Sequence, residues 1–172
     1  IFEDYNKGVL TPKVIREVIA MAREKGVITT VDPKKENFFA YKNVTMFKPN
    51  LKELKEGLNI DGELLPKENT FENAIGAMED KLQNEISFVT LSEHGVFIQK
   101  SNSKHYVPAH IRNISDVSGA GDTVISVATA CLAAGLDIKD VAEWANLAGG
   151  LVCERSGVVP VDKKQLQAEI EK

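Results

Sequence analysis

Asp116-Val117-Ser118-Gly119-Ala120-Gly121-Asp122-Thr123 lies between an extended segment and a long run of small and apolar residues. Gly119, Ala120 and Gly121 are small enough for backbone N–H groups to approach an anion. The helix predicted from Gly121 through Leu132 and Ala133 adds roughly half a positive charge at its start. A carboxylate at the rim of such a pocket would repel phosphate. It could, however, accept a proton from a hydroxyl attacking phosphorus, the role open to Asp122. The same residue also suits a simple helix cap after a glycine-rich turn, and local pattern leaves both readings standing.

Outward from this stretch, the pattern is that of a layered α/β domain. Downstream, helices are predicted over 138–153 and from Asp162 to the end of the chain. Upstream, a helix over 11–25 places Val14, Ile15, Val18, Ile19 and Ala22 on one face, with Pro12 in its first turn and Gly26 after it. Short β-branched runs follow at Val27 to Val31 and Thr45 to Phe47. Strand, helix, strand is the signature of a parallel sheet. A short helix is expected near Asn50, a longer one from about Thr70 to Leu82, and a buried strand from Ile86 to Leu91. Val96 to Gln99 and Lys104 to Val107 then form a hairpin on the sheet edge. No internal repeat, low-complexity tract or linker interrupts the order.

Composition narrows the function classes. The 172 residues suffice for one domain with a real core, and the hydrophobic fraction of 43% is that of a globular protein. A formal charge of −4, a pI near 5.5 and no Lys/Arg stripe argue against a nucleic-acid partner. Cys131 and Cys153 fall in apolar helical stretches, where thiols pack as small hydrophobes, which suits a reducing cytoplasm. No apolar run is long enough to span a bilayer, so no membrane partner is expected. Ile1 opens directly into what reads as the end of a strand, so the natural beginning of the chain is expected to lie upstream.

Asp-x-x-Gly-Ala-Gly-Asp, ending at Asp122, resembles the signature of the ribokinase-like (PfkB) carbohydrate kinases. The resemblance implies a three-layer α/β/α fold with a mainly parallel sheet, and ATP and Mg²⁺ as cofactors. It also implies Asp122 as catalytic base and Gly119, Ala120 and Gly121 as the anion hole. Pro49-Asn50-Leu51-Lys52-Glu53 looks like the family's Asn-x-x-Glu element, which organises the phosphates and, indirectly through Glu53, the Mg²⁺ with its waters. Read locally, Asn50 and Glu53 are a helix cap and its capping-box partner, and both readings can hold together. Thr90, Ser92 and Gly95 in Thr-Leu-Ser-Glu-His-Gly resemble the strand-to-turn contact with ATP, where many relatives have Gly in place of Ser92. Asn146 and Gly157 resemble the border of the adenine site, although Asn146 reads equally as a satisfied polar residue in a helix. Asp116 stands beside the place where the family often binds a monovalent cation such as K⁺.

Within the family, Asp4-Tyr5-x-Lys7-Gly8, Asp32-Pro33-Lys34, the Ser92 form of the turn and Asp-Val-Ser-Gly-Ala-Gly-Asp-Thr-Val-Ile resemble the kinases of D-glycero-β-D-manno-heptose 7-phosphate, which act on the anomeric hydroxyl on the route to ADP-heptose and lipopolysaccharide. That implies Asp4, Lys7 and Lys34 as substrate-binding residues, the lysines offering charge to phosphate or simply lying on the surface. Lys48, before Pro49, stands where a small polar residue is expected. Other acceptors (ribose, fructose, a hexose phosphate or a nucleoside) and a non-catalytic nucleotide-binding protein on the same fold are the competing readings. Residues 1–172 match only the C-terminal part of a single kinase domain. The sugar-binding strands and the lid, through which relatives form homodimers, are expected outside this segment, which alone should be weakly active or inactive.

Overall fold

A computed structural model describes residues 1–110 and 112–171. Six strands form one sheet in sequential order: β1 (Phe2–Glu3), β2 (Thr30–Asp32), β3 (Met46–Phe47), β4 (Ile86–Thr90), β5 (Val96–Lys100) and β6 (Ser103–Val107). The pairs from β1 to β4 are parallel, and β5 and β6 add antiparallel neighbours, the expected edge hairpin. Among the described residues the α-helices are α1 (Pro12–Glu24), α2 (Leu51–Leu58), α3 (Asn69–Leu82), α4 (Ala120–Ala133), α5 (Ile138–Cys153) and α6 (Lys163–Ile170). The helix expected to reach the chain end is thus α6, and Lys172 lies outside the described residues. Among the described residues, no helix is long and apolar enough to cross a membrane.

The period-2 alternation of side chains along a strand divides the core into two layers. Phe2, Val31, Phe47, Val89 and Phe97 face α1 and α3, where they pack with Ile15, Ile19, Phe71, Ile75 and Met78. Met46, Ile86, Phe88, Val96 and Ile98 face the other way, onto Val124, Ile125, Ala128, Val141 and Ala145 of α4 and α5. The result is three layers, helices on both faces of one sheet. A hydrogen bond of 2.8 Å between the Thr30 and Thr129 hydroxyls links β2 to α4 on the second face.

Two elements depart from the pattern read in the sequence. Strand β2 starts at Thr30 rather than Val27, because the Val27 N–H closes onto the Ala22 carbonyl at 2.8 Å and belongs to the end of α1. In α1 itself only Ile15 and Ile19 are buried, whereas Val14 and Val18 are 39% and 44% exposed. A 3.6-residue period identifies an apolar face but not how wide a strip of it the neighbouring layer covers.

Candidate functional site

The carboxyl ends of the parallel strands converge on the first turn of α4. Glu3 pairs in register with Asp32, and the Lys48 N–H bonds the Val31 carbonyl at 2.8 Å. Glu3, Asp32 and Lys48 are therefore neighbours across three strands. Asp32 lies two residues beyond Thr30, so its side chain shares the face that packs on α4. Lys48 Nζ is 2.9 Å from Asp32 Oδ2, and its side chain is 3% exposed.

Above this row stands Asp122, in the first turn of α4. Gly119 is the N-cap residue and no side chain caps the helix, so Asp122 does not act as a cap. Its two carboxylate oxygens instead accept the Tyr5 hydroxyl, each at 2.9 Å. That hydrogen bond, with some burial, pushes the Tyr5 phenol up to about 12, so it remains a donor at neutral pH. Carboxylate oxygens of Glu3, Asp32 and Asp122 all lie within 4.8 Å of one another. Burial first, then the Asp32 and Asp122 charges, pushes the Glu3 carboxyl up to about 7. Burial likewise raises Asp32, against the pull of the Lys48 ammonium.

The glycine-rich turn differs from its expected form in one donor. Gly119 holds a left-handed φ of 77°, and a Cβ there would come within 3.0 Å of Val158 Cγ1. The Ala120 N–H closes the turn onto the Val117 carbonyl at 3.2 Å, so Ala120 does not offer its N–H to a ligand. Among the described residues the N–H groups of Gly121 and Asp122 have no acceptor, as befits a helix start. They are the backbone donors left open at this turn.

Asn50 and Glu53 form the capping box read in the sequence, with Asn50 Oδ1 accepting from the Glu53 N–H at 2.8 Å and Glu53 Oε2 accepting from the Asn50 N–H at 2.9 Å. The other Glu53 oxygen accepts from the Lys34 ammonium. Partial burial works against the charge on Lys34, but the Glu53 carboxylate outweighs it and holds Lys34 above its ordinary value. With both oxygens engaged, Glu53 fits an outer role toward a hydrated Mg²⁺ rather than direct ligation. That suits an ion which keeps several waters and binds mainly through substrate phosphates. An isolated bridge pairs Asn50 with Thr90, bringing the ends of β3 and β4 together.

The remaining expected residues fall into three places. Ser92 adopts φ 53°, a left-handed conformation that glycine enters at less cost. Gly95 has φ 88°, and a Cβ there would overlap the Val107 carbonyl at 2.0 Å, so the hairpin itself demands glycine. Asn146 donates to the Pro108 carbonyl at 2.9 Å, tying α5 to the same segment. Asp116 accepts from the Ser118 N–H and hydroxyl and from the Gly157 N–H, at 2.9, 2.8 and 3.0 Å. These bonds, those of Ser118 foremost, hold its carboxyl below the usual carboxylate value.

Asp4 points to the opposite face. It is 3% exposed and accepts from the Asn6 N–H, Asn37 Nδ2 and the Tyr41 hydroxyl. It thus shapes the loop after β1 instead of presenting itself to a substrate, a correction of the expected role. Lys7 is exposed and makes no ion pair among the described residues. Glu3, Tyr5, Asp32 and Lys48 were not singled out as site residues. The available signal was positional: each sits at or just past the end of a predicted strand.

Comparisons with known proteins agree with this architecture. The model of the pfkB family carbohydrate kinases matches residues 5–164. The chain is 39% identical over 157 residues to the bifunctional protein HldE of Aliarcobacter butzleri, covering 91% of this chain and 32% of that protein. It is 36% identical over 171 residues to the bifunctional protein HldE of Campylobacter jejuni subsp. jejuni, covering 98% and 36%. The chain therefore spans about a third of the length of the curated relatives it matches. Among solved structures, phosphofructokinase-2 from Escherichia coli in complex with potassium superposes with a TM-score of 0.82 at 20% identity, over 95% of this chain and 54% of that one. Arabidopsis thaliana ribokinase complexed with ribose and ATP gives 0.80 at 17%, over 94% and 53%. The fold is ribokinase-like, and the chain belongs to the pfkB family of carbohydrate kinases.

Proposed function

We propose that this chain supplies the nucleotide-binding and catalytic part of an ATP-dependent sugar kinase, with Asp122 as the base. The observation that carries the reading is a carboxylate, oriented by Tyr5, in the same helical turn as two N–H groups without acceptors. Those N–H groups and the positive end of α4 stabilise charge on a transferring phosphoryl group. Asp122 takes the proton of the acceptor hydroxyl as its oxygen bonds to the γ-phosphorus and the bond to the departing ADP breaks. Asn50 and Glu53 would hold the waters of a Mg²⁺ ion, which would supply charge neutralisation to the phosphates. Thr90, Ser92, Gly95, Asn146 and Gly157 line the nucleotide side. Asp116 and nearby backbone carbonyls are where we place a monovalent cation such as K⁺.

The acceptor we infer is the anomeric hydroxyl of D-glycero-β-D-manno-heptose 7-phosphate, in the cytoplasm, on the route to ADP-heptose. The support is the resemblance carried by residues 4–8, 32–34 and 90–95, together with the likeness to the bifunctional HldE proteins. Lys7, exposed and without an ion pair among the described residues, is a cation available for the substrate's phosphate, while Lys34 acts through Glu53. The sugar-binding strands and lid of the same domain lie outside residues 1–172 in this reading.

The test is ADP release by the intact protein with Mg-ATP and a panel of heptose 7-phosphate, ribose, fructose 6-phosphate and adenosine. Selective turnover of the heptose phosphate is expected. Asp122→Asn should lower turnover by about 10²–10⁴-fold while Mg-ATP still binds. Unchanged turnover would remove Asp122 from the role of base.

A further inference from the structure

Lys48 was the departure from pattern in the sequence, and its place in the fold gives it a task. The pair it forms with Asp32 lies directly beneath the anion-binding turn. A Cβ built on Gly121 would be 3.5 Å from Asp32 Oδ2 and 3.8 Å from Lys48 Nζ. Three carboxylates, those of Glu3, Asp32 and Asp122, meet at this point. The cations acting on Glu3 there are Lys48 and Lys34, and Lys34 is already engaged by Glu53. A triphosphate approaching Gly121 and Asp122 thus meets a pocket whose charge depends on one buried ammonium.

We propose that Lys48 is a positioning residue that balances the charge of the carboxylate cluster beneath α4, so that polyanionic nucleotide can enter while Asp122 stays available as base. Lys48 acts through Asp32 and does not touch the phosphates. Its side chain is almost wholly enclosed, with Nζ 3.8 Å from where a Cβ on Gly121 would stand. Uncompensated charge inside a protein acts over several ångströms because the local dielectric is low. A mere packing role would leave the affinity for a neutral nucleoside and for a triphosphate equally affected.

This inference rests on the kinase reading, and one experiment separates the two. Binding of Mg-ATP and of adenosine to the intact protein is measured by calorimetry for the wild type, Lys48→Met, Asp32→Asn/Lys48→Met and Glu3→Gln/Lys48→Met, with folding checked by circular dichroism. Lys48→Met should weaken Mg-ATP about tenfold and leave adenosine unchanged, as one unit of buried charge implies. Asp32→Asn/Lys48→Met carries the wild-type net charge and should return Mg-ATP affinity to within about twofold of the wild type. Glu3→Gln/Lys48→Met should recover part of the loss with Asp32 left in place.

Should Lys48→Met fail to fold because it leaves Asp32 buried without a partner, the neutral double variant still decides. Mg-ATP affinity restored in it supports charge balance, and affinity still lost overturns it, since a phosphate contact made by Lys48 could not be recovered by removing Asp32. Equal weakening of adenosine and Mg-ATP also overturns it. A wild type that binds Mg-ATP but transfers nothing to any sugar refutes the kinase reading alone. One that binds no Mg-ATP refutes both.

Discussion

The Tyr5 hydroxyl spans both carboxylate oxygens of Asp122 at 2.9 Å, joining residues 117 positions apart in the chain. Tyr5 follows β1 and Asp122 opens α4, so the bond closes the site across the edge of the sheet. A hydroxyl donor to a charged acceptor contributes about 1.5–3 kcal/mol. If that energy orients the base, Tyr5→Phe in the intact protein lowers kcat by about ten- to a hundredfold. Little stability should be lost, because Tyr5 is 56% exposed. Steady-state kinetics beside a thermal melt checks both halves, and an unchanged kcat would free Tyr5 from any role in orienting Asp122.

Glu3 ties stability to pH. Its folded-state value of about 7 lies above the ordinary carboxyl value of 4.5, so the folded protein binds the extra proton between these values. Stability from this group is complete below the lower value and is lost as pH rises through the upper one. Glu3→Gln should therefore match the wild type at acid pH and become the more stable of the two above neutrality. Denaturant titrations at several pH values test this, and parallel curves for the two proteins would contradict it.

Gly119 is constrained both by its own dihedral and by its neighbour. Left-handed backbone costs an ordinary residue about 1–2 kcal/mol. Contact between an added methyl and Val158 Cγ1 at 3.0 Å increases that cost. Gly119→Ala should lower both the melting temperature and kcat. Adding Val158→Ala should recover only part of the loss, since the second change relieves the contact and leaves the backbone strain.

Asp116 joins the segment that precedes α4 to the loop at Gly157. Because its carboxyl is held below the usual value, the stability it supplies is present above the ordinary carboxylate range and disappears as pH falls through the lowered value. Asp116→Ala should melt below the wild type at neutral pH, and the gap should close in acid. A gap that stays constant with pH would show that the charge is not what holds the two loops.

Several parts of this protein were legible in the chain alone because their causes are local. Short apolar, β-branched runs mark strands, the spacing of Asn50 and Glu53 marks a capping box, and the small residues of 119–121 mark a turn that opens a helix. None of these needs a distant partner to be recognised. The meeting of Glu3, Asp32 and Lys48 did need one, because it follows from the parallel register of three strands separated by α1 and the 33–45 segment. The side-chain face of each depends on counting in twos from the strand pairing, which sequence spacing does not supply. Asp4 shows the same limit from the other side. It stands one residue from Glu3, yet the pleat turns it toward Tyr41 and away from Asp122. The sequence determined the elements and the α4 turn, while strand register and the α4 packing decided which charges meet there, because electrostatic coupling depends on distances through space.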